Sequence, residues 1–219
     1  MCQLKSGIIL KDRVFVPDYD HHTNMLAELK IADTRENAER LFVRAELIPP
    51  SGDVFSNIDE WTFNVDQDII PDWFIAEYER DRMVAAVKEW AKTHIFIGVD
   101  GLTLKDEKAV YIKNCKNVLC GNSTVKACGN STVKACGNST VEACGNSTVK
   151  ACGNSTVEAW GNSTVEAWGN STVVKPNYSS FNSDRLILSE NSTFKDCVSK
   201  IIYQSGDFKL VTVTDGKIK

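Results

Sequence analysis

The sequence has no long hydrophobic run and no recognisable export signal. No segment contains the roughly 18 consecutive apolar residues that a transmembrane helix needs. The N-terminal MCQLKSGIIL lacks the basic, apolar and small-residue regions of a signal peptide. We therefore expect a cytoplasmic protein without a membrane partner, in a compartment where thiols stay reduced.

Several catalytic and nucleic-acid-binding patterns are also missing. The chain has no Gly-rich phosphate loop, no Gly-x-Ser-x-Gly elbow and no His-Glu-x-x-His helix. Residues 1–105 hold 12 Lys and Arg against 19 Asp and Glu, a net charge of −7, whereas residues 106–219 have a net charge of +3. Neither half has the clustered Lys and Arg of a dedicated nucleic-acid surface. The acidity of residues 1–105 is typical of a surface that keeps a protein soluble.

A tandem repeat occupies the middle of the chain. From Cys120 to Val173 the octapeptide [Cys/Trp]-Gly-Asn-Ser-Thr-Val-[Lys/Glu]-Ala recurs, and five of the eight cysteines fall eight residues apart. The cysteine count therefore indicates a repeat and not a disulfide framework. The recurring Asn-Ser-Thr also matches the glycosylation pattern of secreted proteins, but Asn and Ser are equally typical of tight turns.

The repeat predicts a β-solenoid. Within each unit, Ser, Val and Ala alternate with Thr and Lys or Glu, which is the period of a strand with one buried and one exposed face. Gly-Asn supplies the corner, because both residues tolerate positive φ. We expect two octapeptides per coil, which places each residue over the one sixteen positions later; three per coil is the alternative.

The variable Cys/Trp position of the octapeptide is predicted to lie on the outside of the solenoid. Trp160 and Trp168 replace Cys in intact units, so we expect this column outside or at a corner, since a packed interior would not accept both side chains. The two tryptophans are the predicted binding residues. The cysteine column has neither Cys-x-x-Cys spacing nor accompanying histidines, so we predict no metal and no cofactor.

Residues 1–105 predict an acidic α+β head domain. We expect a hairpin (Gly7–Leu10 and Arg13–Val16), a short helix capped by Asp20 and a second after Asp33 or Thr34. Further strands are predicted at Leu41–Ile48, Trp61–Val65, Ile95–Val99 and Leu102–Lys105. A longer helix starting at Pro71 buries a stripe of Phe74, Tyr78, Met83, Val87 and Trp90. The solenoid follows at 106–199, and residues 200–219 form C-terminal capping strands.

Three features of the head suggest chemistry. Removal of Met1 would leave Cys2 as a nucleophile with its own amine as base, as in class II amidotransferases and the SRAP family of abasic-DNA crosslinking proteins. The chain shares with SRAP little beyond Met1-Cys2 and Arg44-Ala45-Glu46.

The other candidates are Asp18 and His22 in Asp-Tyr-Asp-His-His, and Asp66 and Asp68 in Asp-Gln-Asp. Both motifs also have a purely structural explanation. The first would be a helix start with solvated histidines, and the second a polar loop with Asp68 near a helix start.

The chain resembles a group of uncharacterised proteins from gut bacteria and their phages. The resemblance rests on the opening MCQLKSGIILKDRVFVPDYD, the segment FNVDQDIIPDW and the Asn-Ser-Thr-Val units. It implies a bacterial or phage-infected cytoplasm and no particular activity.

Three functions follow as hypotheses. The first is a non-enzymatic interaction or scaffold protein, phage-encoded, that binds a host protein or nucleic-acid machinery. The alternative is an enzyme that uses Cys2, and the third is an acidic DNA mimic or nucleic-acid binder. A protein partner and a homodimer are expected, whereas binding of nucleic acid is left open.

Overall fold

The computed structural model describes residues 4–205, 211–214 and 217–218. The chain forms two compact units, Met1–Ile95 and Phe96–Lys219, whereas the sequence led us to place the division after residue 105. The prediction of an α+β region followed by a β-solenoid is confirmed, and the solenoid has about five turns.

The first unit contains a four-stranded antiparallel sheet of order β2-β1-β3-β4. Its strands are β1 (Lys5–Leu10), β2 (Val14–Phe15), β3 (Phe42–Ile48) and β4 (Thr62–Val65). Its helices are α1 (His22–Glu28), α2 (Arg35–Arg40) and α3 (Ala76–His94), with short 3-10 turns at Pro50–Gly52 and Ile58–Glu60. The predicted hairpin and the two short helices are confirmed.

Helices cover both faces of this sheet. Met25 and Leu26 of α1 pack in one cluster with Ile8 and other buried residues of the sheet. On the opposite face, Met83 of α3 lies against Gly7, where a Cβ atom would meet the Met83 side chain at 2.9 Å. The alternation of side chains along β1 therefore directs Ile8 and Gly7 to different helices.

Helix α3 starts later than predicted. Pro71 is in a turn in which its carbonyl accepts a hydrogen bond from the Phe74 amide, and the Trp73 indole donates to the Arg40 carbonyl at 2.8 Å. The helix therefore begins at Ala76. Met83, Val87 and Trp90 are buried as predicted, but Tyr78 is 62% exposed, so its place in the buried stripe was wrong.

The second unit contains two sheets of parallel strands. The six-stranded sheet comprises alternate strands: β6 (Thr103–Lys105), β8 (Val118–Gly121), β10 (Thr132–Cys136), β12 (Thr148–Ala151), β14 (Thr164–Ala167) and β16 (Leu186–Leu188). The other sheet begins with β5 (Ile95–Ile97), β7 (Val110–Lys113), β9 (Thr124–Cys128), β11 (Thr140–Ala143), β13 (Thr156–Ala159), β15 (Thr172–Lys175) and β17 (Thr193–Asp196). The predicted strands near 95–105 thus belong to the solenoid sheets, and not to the head.

The interior of the repeat coils is made of small side chains, while larger ones such as Ile112, Phe181 and Phe194 lie in the flanking coils. Repeat Ser, Val and Ala residues are buried, as predicted, whereas Thr and Lys or Glu point outward. At the corners, a Cβ atom on Gly145 would lie 3.1 Å from the backbone nitrogen and oxygen of Gly129, and Gly145 has φ of +66°. The corner therefore requires glycine for both space and conformation.

The parallel strands of the solenoid are followed by antiparallel strands. The strand β18 (Ile201–Gln204) pairs antiparallel with β17, and β19 (Val211–Thr214) and β20 (Lys217–Ile218) extend the same sheet. Of the predicted capping strands at residues 200–219, residues 206–210, 215, 216 and 219 lie outside the described residues.

Candidate functional site

The head carries a polar cleft at one edge of its sheet. Its potential ligand residues come from three elements: His22 begins α1, Glu46 lies on the side of β3 that α1 faces, and Asp66 follows β4. The Asp66 amide donates to the Arg44 carbonyl at 2.9 Å, which continues the pairing of β4 with β3. One ligand atom from each of the three side chains lies within 4.8 Å of the others.

The His22 imidazole is largely buried. Its side chain is 10% exposed; Nδ1 lies 3.1 Å from Asp66 Oδ2, and Nε2 lies 3.4 Å from the Ala45 carbonyl. The sequence interpretation of solvated histidines is therefore wrong for His22, whereas His21 is exposed as expected. The neighbouring strands bury the ring because α1 packs across the sheet.

Glu46 is a residue that the sequence analysis did not choose as a site. The Asn64 amide of the paired strand donates to Glu46 Oε2 at 3.2 Å and orients the carboxylate. The sequence signal that could have identified Glu46 is the alternation of polar and apolar residues along β3. This alternation puts Arg44 and Glu46 on one face of the strand.

The remainder of the cleft is strongly polar. The cleft has a volume of about 500 Å³. The Arg44 guanidinium forms an ion pair with Asp33, so its positive charge is already matched. His21 and Thr23 also line the opening.

Asp20 has a different role from the helix cap that we predicted. It accepts hydrogen bonds from the Ser6 amide at 3.0 Å and from Lys5 Nζ at 2.8 Å, while α1 has His21 at its N-cap with no side-chain cap. Burial lowers the pKa of Lys5, although the Asp20 carboxylate opposes this shift. Asp20 thus compensates a buried cation on β1, which is why it does not cap the helix.

Among the predicted catalytic residues that the structure describes, two come together. His22 and Asp66 meet, whereas Asp18 lies 2.8 Å from Nε2 of the buried His94. Asp68 is exposed and is not in the group formed by His22, Glu46 and Asp66. Cys2 lies outside the described residues.

The two sheets of the solenoid each carry a column of in-register, outward-pointing side chains. We call the outer side of the six-stranded sheet the lysine face; one in-register column contains Leu119, Lys134, Lys150, Glu166 and Ile187. We call the outer side of the other sheet the glutamate face; its column contains Tyr111, Lys126, Glu142, Glu158, Val174 and Lys195. Ion pairs join adjacent coils within each column, Lys126 with Glu142 at 2.9 Å and Lys150 with Glu166 at 3.0 Å.

The cysteines of the corners are bonded to one another. Disulfides join Cys128 to Cys144 and Cys136 to Cys152, so our expectation of reduced thiols at the corners is not met. In-register stacking is the reason, because it brings the Cα atoms of each pair to 4.8 Å, within disulfide range.

Tryptophan follows cysteine in each corner. Trp160 and Trp168 occupy the next repeat positions after Cys144 and Cys152, and both are half-buried. The indole Nε1 of Trp160 is buried and has no hydrogen-bond partner among the described residues. Both rings therefore cover the corners of the coil in addition to contacting solvent.

Comparison with protein-family models, with curated proteins and with solved structures finds no match. Within the described ranges, no helix has the length and apolar character to cross a membrane.

Proposed function

We propose that the chain is a non-enzymatic interaction scaffold, in which the solenoid presents columns of charged side chains to a protein partner. The observation that carries the proposal is the parallel register: Thr132, Lys134 and their repeats stand directly over the residues sixteen positions later. A surface of this kind repeats one side chain at the strand spacing of about 4.8 Å.

We infer further that the octapeptide is the structural unit and that two units complete a coil. The pairing of Thr140 with Thr156, and of Thr148 with Thr164, supports this assignment. Addition or loss of two octapeptides would then lengthen or shorten the columns without changing their chemistry.

The two faces differ in charge. Lys134 and Lys150 are exposed in adjacent coils of the lysine face, whereas Glu142 and Glu158 occupy adjacent coils of the glutamate face. Exposed Leu119 and Ile187 flank the charged residues of the lysine face in the same column. An acidic surface with apolar margins on a host protein, or on a protein of the nucleic-acid machinery, matches the lysine face. We place this interaction in a bacterial or phage-infected cell because of the sequence resemblance.

A capture experiment with matched variants tests the proposal. Tagged full-length protein is incubated with a gut-bacterial lysate, and K134E/K150E is compared with E142K/E158K, which changes two charges on the other face. We expect a captured protein that is lost with K134E/K150E and retained with E142K/E158K. The same captured set for all three proteins, or none with the unmodified chain, contradicts the proposal.

An enzyme that uses Cys2 is the second candidate, because the contact of His22 with Asp66 joins two of its predicted catalytic residues. Its test is the alkylation rate of Cys2 in full-length protein, measured by mass spectrometry. Faster reaction than that of the exposed Cys197, reduced in H22Q, favours the enzyme, while retention of Met1 excludes it.

A further inference from the structure

We propose that His22, Glu46 and Asp66 bind one divalent transition-metal ion in the head cleft. The proposal concerns the head alone, so it does not depend on the function of the solenoid.

The three side chains are spaced for a single ion. Their ligand atoms all lie within 4.8 Å of one another. Metal–ligand bonds to nitrogen and oxygen are about 2.1 Å, so two ligands of one ion lie no more than about 4.2 Å apart. His22 Nδ1 and Asp66 Oδ2, 3.1 Å apart, already meet this limit. The Asp66 side chain is 55% exposed, so it can also rotate towards an ion in the cleft.

The hydrogen bonding of His22 provides an independent indication of a cation. The Ala45 carbonyl, 3.4 Å from Nε2, accepts and cannot donate, so it fixes the ring hydrogen on Nε2. In the neutral ring, the Nδ1 lone pair then faces the Asp66 carboxylate at 3.1 Å, and a carboxylate also only accepts. Either a second ring proton or a metal ion between these two acceptors satisfies both. Metal-binding histidines characteristically donate their other N–H to a carbonyl or carboxylate, as Nε2 does here.

The groups around the cluster support the same assignment. Asn64 orients Glu46, as outer-shell residues orient metal ligands. Arg44, the nearby cation of the cleft, is paired with Asp33. Asp20 is held by Lys5 and the Ser6 amide, so it is not required as a ligand.

The donor set selects the class of metal. One imidazole nitrogen and two carboxylate oxygens suit Zn²⁺ or Mn²⁺, whereas Mg²⁺ and Ca²⁺ prefer oxygen ligands alone. Three protein ligands leave the other coordination positions to water in the open cleft.

The test uses metal-free full-length protein and measures binding directly. Mn²⁺ is titrated while the electron paramagnetic resonance signal of the free ion is recorded, and Zn²⁺ is titrated calorimetrically into Cys197→Ser protein, because the exposed Cys197 thiol also attracts zinc. We expect one ion per chain. Affinity should fall more than about 10-fold in E46Q and D66N, because loss of an outer-shell partner alone costs about 10–100-fold.

Two further variants separate binding from folding. D68N removes an exposed carboxylate close in sequence to the cluster and should bind both metals as tightly as the unmodified chain. N64A retains all three ligands and should bind about tenfold more weakly. The helical circular dichroism of each variant is compared with that of the unmodified protein, and D66N alters a largely exposed side chain that the core does not need. Absence of one-to-one binding, or unchanged affinity in both folded E46Q and D66N, overturns the proposal.

Discussion

Cys120 pairs with Ala135, and not with Cys136, in the parallel register between β8 and β10. The coil from β8 to β10 is therefore one residue shorter than the next coil of the same sheet, in which Thr132 pairs with Thr148. The displacement turns Cys120 from the corner into the interior, where it is 2% exposed. Burial raises the pKa of the Cys120 thiol to about 12.

This register predicts three classes of cysteine reactivity. In native protein, iodoacetamide should modify the exposed Cys197 and leave the buried Cys115 and Cys120 unmodified. The corner cysteines should react only after reduction, in agreement with their disulfides. Peptide mass spectrometry after alkylation with and without reductant, and then in denaturant, distinguishes the classes. Rapid native modification of Cys120 would contradict its interior position.

The corner disulfides should contribute to stability. Each closes a loop of 16 residues, for which the loss of chain entropy in the unfolded state is worth about 3 kcal/mol. We expect C128S/C144S to lower the free energy of unfolding of the solenoid by an amount of this order. Denaturant titration followed by tryptophan fluorescence, in protein whose head residues Trp61, Trp73 and Trp90 are replaced by Phe, measures the change through Trp160 and Trp168, and C197S serves as the control. Equal stability of the two variants would argue against the bond in the native protein.

Corner glycines should be far less tolerant than other glycines of the same unit. Gly153 has φ of +68°, and a Cβ atom there would lie 3.1 Å from the backbone nitrogen and oxygen of Gly137. Gly101 has a comparable φ of +77° but nothing within 4 Å. Gly101→Ala should therefore lower the free energy of unfolding by about 1–2 kcal/mol through backbone conformation alone. Gly153→Ala should lower it by more, because the added Cβ atom also meets the backbone of Gly137. Chemical denaturation compares the free energies of unfolding of the two variants. Equal decreases would contradict the close approach of stacked corners.

The stability of the head should fall at alkaline pH because of Tyr19. Partial burial and its hydrogen bond to Glu28 raise the pKa of Tyr19 to about 12 from its usual 10. The unfolded chain thus loses this proton first, so the stabilising contribution is complete below pH 10 and disappears as the pH rises towards 12. Helical circular dichroism reports the head, since the described α-helices lie within it. Tyr19→Phe should flatten this part of the pH profile, while Tyr178→Phe, at a 99% exposed residue, should leave it unchanged.

The repeat made the solenoid predictable because each unit carries the same local information. Burial of Val and Ser and positive φ at Gly follow from a single octapeptide, so seven copies reinforce one interpretation. The register error at Cys120 arose at the first intact unit of the repeat. This unit has Gly121-Asn122 like the later corners, but its positive φ lies at Asn122 and not at the glycine, and the sequence does not show that the coil is one residue shorter.

The head was less predictable because its polar contacts join distant segments. Asp20 precedes a helix, which favours a cap, but the buried Lys5 ammonium competes for its carboxylate. His22 and Asp66 were candidates from separate motifs; the pairing of β3 with β4 brings Asp66 to Glu46, and the packing of α1 on the sheet adds His22. Such contacts depend on topology, which sequence spacing does not specify.

Covalent lysine labelling of the complex with a captured partner tests the central claim most directly. Full-length protein is acetylated with and without that partner, and modification of each lysine is quantified by mass spectrometry. The proposed interaction predicts that Lys134 and Lys150 lose reactivity on binding, while the exposed Lys30 and Lys108 do not. Protection confined to lysines of the head, with Lys134 and Lys150 unchanged, would contradict the claim that the lysine face of the solenoid is the interaction surface.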